Sequence, residues 1–347
     1  MKTLLRLLLK SQHQQNRSGP AQTDKGMTLV ELLVGAIMAF LIITPMLGFV
    51  VDMLNTDRRE QVKSNTEQDI QAAVDFIAQD LSQAIYIYDN KAINVGTAAN
   101  PAIRNQLPDN GNPNRIPILV FWKRQQIEKS VPINQTVTAK PNTCTAADCN
   151  DAYVLSLVAY YQFKDNDVTW CQPLGVSCPT RIARYEIRDG VKDPSTLAYY
   201  TDAETEIGQR KDPAFNENFD ISKPTVNVTT GTVFKSAEVL VNYIDHNPID
   251  PPSQAPTGAQ CQTLLGVTPP PAPATFNASD LLITDTSSSS AHSFYACVDT
   301  SKNIARVTLR GNSLRRLQPN DTAYNPNKSA FFPTASVQVQ GLGAVGK

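Results

Sequence analysis

The residues of this 347-residue chain that could carry chemistry are six cysteines, three histidines and a few clustered aspartates. No two cysteines have the two-residue spacing of a zinc knuckle, and the histidines are scattered along the chain. An even number of cysteines in this arrangement favours disulfide bonds in an oxidising compartment, with free buried thiols as the alternative. The residues are Cys144, Cys149, Cys171, Cys178, Cys261, Cys297, His13, His246 and His292.

Sequence alone does not fix how six cysteines pair. Our expectation is that each cysteine pairs with its neighbour along the chain: Cys144 with Cys149, Cys171 with Cys178, and Cys261 with Cys297.

The aspartates offer at most a weak metal site. Asp165 and Asp167, with Asp148 and Asp151 nearby, are weak candidates for calcium ligands. They lack the spacing and the terminal glutamate of an EF-hand loop, and aspartates are common in turns. We therefore expect a turn here, no bound metal and no cofactor.

Other functional classes find little support in the composition. The net charge of -1 argues against nucleic-acid binding, which needs a basic face. The chain has neither a glycine-rich phosphate loop nor a Gly-x-Ser-x-Gly elbow, so we expect no enzymatic activity. Several aromatic residues could stack on sugars, although core positions in strands are the expected place for most of them. They are Trp122, Tyr160, Tyr161, Trp170, Tyr199 and Tyr200.

Glu31 is the residue whose surroundings most clearly require a partner. It lies near the start of an apolar run, and no charge follows it between Leu32 and Val51. That stretch meets the length of about 20 residues that a helix needs to span a bilayer. A carboxylate at the edge of such a helix is costly unless a cation lies close to it. A secretory signal would have its small-residue cleavage site after the run rather than before it.

The stretch from Lys25 to Val34, Lys-Gly-Met-Thr-Leu-Val-Glu-Leu-Leu-Val, resembles the N-terminal signal of type IV prepilins and pseudopilins. The resemblance implies cleavage after Gly26, N-methylation of Met27 and an assembly role for Glu31, at the fifth mature position. Met27 departs from the commoner Phe. In that family the glutamate of an incoming subunit attracts the free N-terminus of its neighbour.

A second resemblance covers the segment that follows. The stretch from residues 57–61 through 75–89 resembles the stalks of the large PilW- and GspJ-like minor pseudopilins. More closely, residues 44–51 followed by 55–61 resemble the cyanobacterial pseudopilins of hormogonium polysaccharide secretion. Pro45 and Gly48 weaken a helix, and the resemblance implies that the helix loosens there in a filament.

The charges and periodicity suggest how the chain is organised. Together with the cleavage after Gly26 that the resemblance implies, they predict a basic cytoplasmic leader over residues 1–26, a membrane span over 27–51, an amphipathic stalk helix over 52–90 and an extracytoplasmic β-rich head over 91–347. In the head, alternating apolar residues between turn signals predict strands at 116–122, 152–163, 168–171, 181–187, 225–229, 238–244, 304–310 and 336–340, with a hairpin turn at 164–167. A proline-rich insertion lies near 248–275. The fold class expected is α+β: a pilin-like lollipop in which a long N-terminal helix packs on an antiparallel β-sheet head with disulfides.

These resemblances imply a minor pilin or pseudopilin at the inner membrane, with its N-terminus in the cytoplasm and its head in the periplasm or in an extracellular filament. The expected partners are the prepilin peptidase and N-methyltransferase, other pilins or pseudopilins, the inner-membrane assembly platform and exopolysaccharide. The expected role is in exopolysaccharide secretion and gliding motility. A minor pseudopilin of a type II protein secretion system is one alternative. A membrane-anchored, glycan-binding adhesin is an alternative of another class.

Overall fold

The computed structural model describes residues 28–97, 101–134, 136–172, 178–221, 234–248, 255–271, 275–287 and 290–343. The chain divides into two compact units, Met1–Arg58 and Arg59–Lys347. Helix α1, Leu29–Ser82, begins in the first unit and ends in the second. Gly26 and Met27 lie outside the described residues.

The second unit contains two antiparallel sheets, which bear out the α+β class. The first sheet has five strands in the order β1-β2-β3-β4-β5. These are β1 Ala84–Ile87, β2 Arg115–Pro132, β3 Cys149–Phe163, β4 Thr180–Arg188 and β5 Glu238–Ile244. Each strand pairs with the next strand along the chain, as expected for antiparallel strands that no crossover helix connects.

The second sheet has four strands in the order β6-β7-β8-β9. They are β6 Leu282–Thr284, β7 Phe294–Asp299, β8 Ile304–Arg310 and β9 Thr334–Gln340. The sequence led us to expect a single sheet. A bridge between Ile244 and Gly311 joins the end of β5 to the end of β8, and one hydrophobic core serves both sheets.

The second half of α1 packs on this core through a stripe with helical spacing. Seven of its residues are buried: Thr66, Ile70, Ala73, Val74, Ile77, Asp80 and Leu81. Gly311 lies beneath this stripe, because a Cβ atom there would come within 2.9 Å of Thr66 Cγ2 and 3.1 Å of Ile70 Cγ1. A glycine at the junction of the sheets therefore lets the helix approach closely.

The stalk helix is shorter than the expected range of 52–90. It ends at Ser82, and Ala84–Ile87 form β1, with Tyr86 opposite Trp122 of β2. The run Ile85–Tyr88 continues the helical spacing of apolar residues, but its β-branched and aromatic side chains also suit a strand. Backbone pairing with β2 makes this run a strand rather than a continuation of the helix.

The region after β3 also differs from expectation. Val168–Cys171 was expected to form a hairpin strand, but it is a turn in which the Asp167 carboxylate accepts a hydrogen bond from the Thr169 N–H at 2.8 Å. The Asp167 carbonyl accepts two more, from Trp170 and Cys171. β3 pairs instead with β4. A strand expected at 225–229 lies outside the described residues.

The proline-rich insertion contains a helix that we did not expect. Helix α2, Gly258–Leu265, begins with a capping box in which Thr257 and Gln260 bond each other's backbone N–H. It ends at Gly266, which adopts the left-handed conformation. A four-residue helix, α3, Leu314–Leu317, follows β8.

Candidate functional site

The apolar half of α1 is the first candidate site. Every large apolar side chain from Leu29 to Leu54 is at least 48 % exposed, and Leu29 reaches 84 %. An apolar surface of this size in water is unfavourable and marks a site that lipid or protein covers. Among the described residues, α1 is the one helix long and apolar enough to cross a membrane, and a membrane anchor or a signal sequence would both fit this finding.

Thr28 and Glu31 form the N-terminal cap of this helix. The Thr28 hydroxyl accepts a hydrogen bond from the Glu31 N–H at 3.3 Å, and the Thr28 carbonyl accepts one from the Leu32 N–H at 3.1 Å. Glu31 is therefore the third helical residue, where a carboxylate is favoured by the helix dipole. The sequence carried this signal as Thr-x-x-Glu, but we had assigned Thr28 no role.

Pro45 and Gly48 lie inside an unbroken helix in this isolated chain. A Cβ atom added to Gly48, or to Gly35, would meet no atom within 4 Å. Packing inside the chain therefore does not require either glycine. Whether the helix loosens at these residues in a filament stays a prediction.

The second candidate site is an ion cluster buried between α1 and the first sheet. The Asp80 carboxylate accepts hydrogen bonds from Lys123 at 3.0 Å, Arg184 at 2.8 Å and Tyr160 at 2.7 Å. Arg184 also pairs with Glu186 at 2.9 Å. Lys123 lies 3.5 Å from Glu186, which makes an ion pair rather than a hydrogen bond.

The cations of the cluster keep its carboxylates ionised. Burial raises the pKa of Asp80, but Arg184 and Lys123 more than offset it, so the net pKa lies below the usual value. The same balance, with burial opposing Arg184, Lys123 and Arg188, lowers the pKa of Glu186 to about 2. The arrangement can hold charge and fix the helix on β2, β3 and β4, but it leaves no basic group free for acid–base chemistry.

Sequence reasoning missed Asp80, although a signal existed. Asp80 lies three residues after Ile77 on the buried stripe, and a carboxylate at such a position needs a cationic partner. Its partners come from three strands far along the chain, which sequence does not bring together.

All six cysteines form disulfides, with the pairing that we expected: Cys144–Cys149, Cys171–Cys178 and Cys261–Cys297. The last of these fixes α2 to β7 and lies at the centre of a small separate apolar cluster.

The two weak calcium candidates have other contacts. Asp165 is paired with Arg115 at 2.8 Å and with Arg181 at 2.6 Å, and Asp167 stabilises the turn described above. In the part of the chain that the structure describes, no group of three or more His, Cys, Asp or Glu side chains is placed to hold a metal ion.

Three of the six aromatic candidates lie in the core, and Tyr199 and Tyr200 are half-buried. Trp122, Tyr160 and Tyr161 are at most 1 % exposed, while Trp170 is 36 % exposed. Comparisons with known protein families, with curated proteins and with solved structures give no significant match to this chain.

Proposed function

We propose that this chain is a minor pilin or pseudopilin, a structural subunit of a type IV pilus-like filament that supports exopolysaccharide secretion and gliding motility. The observation that carries the proposal is the first half of α1. Its apolar side chains are exposed on all sides, it begins with Thr28 and Glu31, and Gly26 and Met27 immediately precede that cap in the sequence.

The glycine before this segment and the carboxylate in its first turn favour a filament subunit over a simple tether. A tether requires apolar length alone and needs neither a glycine before the helix nor a carboxylate in its first turn. The carboxylate of Glu31 is exposed beside its Thr28 cap, free to meet the N-terminus of another subunit. The glycines at 35 and 48 have no packing role in the chain and suit close approach by a neighbouring helix.

The buried cluster around Asp80 supports a mechanical role. Its ion pairs fix the second half of α1 to three strands, so the helix is held to the sheet by charge as well as by apolar packing. The link to exopolysaccharide and motility rests on the resemblance of residues 44–61 to the pseudopilins of hormogonium polysaccharide secretion.

The mature N-terminus tests the proposal most directly. Mass spectrometry of the protein from membranes of cells that carry the prepilin peptidase should find a chain that starts at a methylated Met27. Gly26→Val should leave the leader attached, while the matched variant Gly35→Val should be cleaved normally. An intact Met1, or a cut after Val51, would refute the pilin class.

The filament itself decides between the two secretion systems. Filaments sheared from the cells, or cross-linked complexes in their membranes, should contain this chain with subunits of a polysaccharide-secretion or motility system. Co-isolation with the pseudopilins of a protein-secretion system would select the type II alternative. Recovery of an uncleaved chain with no other pilin would favour the adhesin.

A further inference from the structure

A groove on the outer face of the second sheet is not explained by filament assembly. It lies between α2 and strands β7, β8 and β9 and has a volume of about 680 Å³, within the range of ligand sites. Its lining is Pro256, Ala259, Gln260, Thr263, Leu264, His292, Tyr295, Thr308, Arg310 and Thr334.

The floor of the groove is a regular array of polar groups. Tyr295 and Thr308 lie opposite each other on β7 and β8, as do Arg310 and Thr334 on β8 and β9. These two rows are two residues apart along the strands, a distance of about 7 Å. The inward side chains between them, such as Leu309, belong to the core.

Several polar atoms in the groove have no hydrogen-bond partner within the described residues. They are the hydroxyls of Tyr295, Thr308 and Thr334 and the side-chain amide nitrogen of Gln260. His292 binds Thr284 through Nδ1 at 3.0 Å, which leaves Nε2 available.

The wall formed by α2 is held firmly in place. The Cys261–Cys297 disulfide joins α2 to β7, and Lys302 donates a hydrogen bond to the Gly266 carbonyl at the end of α2 at 3.1 Å. At the start of α2, a Cβ atom on Gly258 would come within 2.3 Å of the Ala278 carbonyl oxygen. A groove with such a wall is preorganised, which lowers the entropic cost of binding.

The charges around the groove indicate an uncharged ligand. None of the lining residues is acidic, and the one permanent cation, Arg310, is paired with the buried Asp245 at 2.8 Å. Burial lowers the pKa of His292, which favours its neutral imidazole. Hydroxyl, amide and imidazole groups beside a half-buried tyrosine ring match the hydroxyls and the apolar ring face of a sugar.

We propose that the groove between α2 and the outer face of the second sheet binds a segment of uncharged pyranose sugars in a polysaccharide chain. This inference rests on the proposed function and names what the head contacts. Tyr295 lies against a sugar ring, and Gln260, Thr308, Thr334 and His292 bond its hydroxyls. In a secretion filament this contact would let the moving subunit hold the polymer.

Calorimetric titration of the full chain in detergent tests the inference. The probes are cellohexaose, oligosaccharides from the purified extracellular polysaccharide of the source organism, and oligogalacturonate as an acidic control. We expect binding of the uncharged probes, or of uncharged segments of the native polymer, with little dependence on salt. Tyr295→Ala should weaken it by about 10-fold, equivalent to about 1.4 kcal/mol.

Tyr153→Ala is the matched control, because Tyr153 is an exposed tyrosine on β3 and is not part of the groove lining. The affinity of Tyr153→Ala should equal that of the unaltered chain. Tyr295 also packs on the apolar cluster around the Cys261–Cys297 disulfide, so Tyr295→Ala needs only to remain folded at the temperature of the titration. The inference is overturned if no probe binds, if Tyr295→Ala binds as well as Tyr153→Ala, or if only oligogalacturonate binds in a salt-dependent way.

This result is separable from the test of the pilin class. Tyr295→Ala should still be cleaved after Gly26 and enter filaments. Loss of sugar binding with normal processing would bear on the groove alone, whereas a chain that is never cleaved would refute the proposed function whatever the groove binds.

Discussion

The two halves of helix α1 differ in apolar content and have opposite surroundings, because the stretch from Leu29 to Leu54 is almost wholly apolar whereas only half of the residues from Thr66 to Leu81 are apolar. From Leu29 to Leu54 the large apolar side chains are exposed on every side of the helix. From Thr66 to Leu81 the apolar residues form one stripe, and that stripe is buried against the core of the second unit. The first half therefore presents its apolar surface to other molecules, and the second half packs within its own chain.

The acidic residues of the two halves show the same difference. Glu31 is exposed and has its own helix cap as its contact, whereas Asp80 is buried and accepts hydrogen bonds from three other side chains. A buried carboxylate must find its partners within the fold. The exposed one is available for a partner on another molecule. Changes at each site should therefore affect different properties.

The largest effect on stability is expected from Asp80→Ala. This variant leaves the charges of Lys123 and Arg184 buried with Glu186 as the one carboxylate that both contact. Removing one partner from a buried ion pair typically costs about 3–5 kcal/mol. Asp75→Ala is the control, because Asp75 lies on the exposed face of α1 and bonds Gln71 of the same helix. We expect the control to change the unfolding free energy by about 0.5 kcal/mol or less. Denaturation followed by tryptophan fluorescence measures both, and equal stability of the two variants would contradict the role of the cluster.

The pH dependence of stability tests the same cluster without changing its shape. The pKa of Glu186 falls from the usual 4.5 to about 2 in the folded chain, which corresponds to about 3 kcal/mol. Because the folded pKa is the lower one, this stabilisation is present above about pH 4.5 and is lost as the pH falls towards 2.

Thermal unfolding between pH 6 and pH 2 should show this loss. Glu186→Gln should be less stable than the unaltered chain at pH 6, and the difference should shrink as the pH falls. A constant difference across the range would show that Glu186 titrates normally in the folded chain.

A smaller effect is expected from Gly311→Ala. The new methyl group would lie 2.9 Å from Thr66 Cγ2, and Thr66 cannot rotate freely because it is buried and its hydroxyl bonds the Val62 carbonyl. Overpacking of this kind costs about 1–3 kcal/mol. Gly48→Ala is the contrasting variant, since it meets no atom within 4 Å and should raise helix stability by about 0.5–1 kcal/mol. Denaturant midpoints compare the two, and a destabilised Gly48→Ala with a neutral Gly311→Ala would reverse the comparison between the two halves.

The sequence predicted those parts of the fold in which local pattern and tertiary environment agree. The stripe from Thr66 to Leu81 and the strands β5 and β8 follow from periodicity, and neighbouring cysteines do pair. The prediction was wrong for Ile85–Ile87. These residues continue the helical spacing of apolar side chains but also suit a strand, and their pairing with β2 makes them one.

The candidate sites were predicted unevenly for a similar reason. Glu31 stands out because it is the one charge in an apolar run, and its cap with Thr28 is local. The Asp80 cluster and the groove between α2 and the second sheet each bring together residues that are distant in the sequence, and local pattern carries no information about such contacts. Helix α2 was not predicted, because the prolines on both sides of it indicated a loop, whereas its local helix signal is the Thr257–Gln260 capping box.

The smallest effect on stability is expected from variants at the start of α1. These variants also give the sharpest test of function. Two roles of Glu31 can be separated, since glutamine also serves at the third position of a capping box but carries no charge. Glu31→Gln should change helix stability by only a few tenths of a kcal/mol to about 1 kcal/mol through the lost dipole interaction. Thr28→Ala removes the cap at a cost of about 1 kcal/mol but keeps the carboxylate.

If Glu31 acts in assembly through its charge, both variants are cleaved after Gly26, but Glu31→Gln is absent from sheared filaments while Thr28→Ala is present. Mass spectrometry of the N-terminus and immunoblots of the filament fraction give the two readouts. The opposite result, with Thr28→Ala absent and Glu31→Gln present, would mean that Glu31 serves to start the helix. The exposed half of α1 would then keep its apolar contacts with neighbours but lose the charge that sets their register.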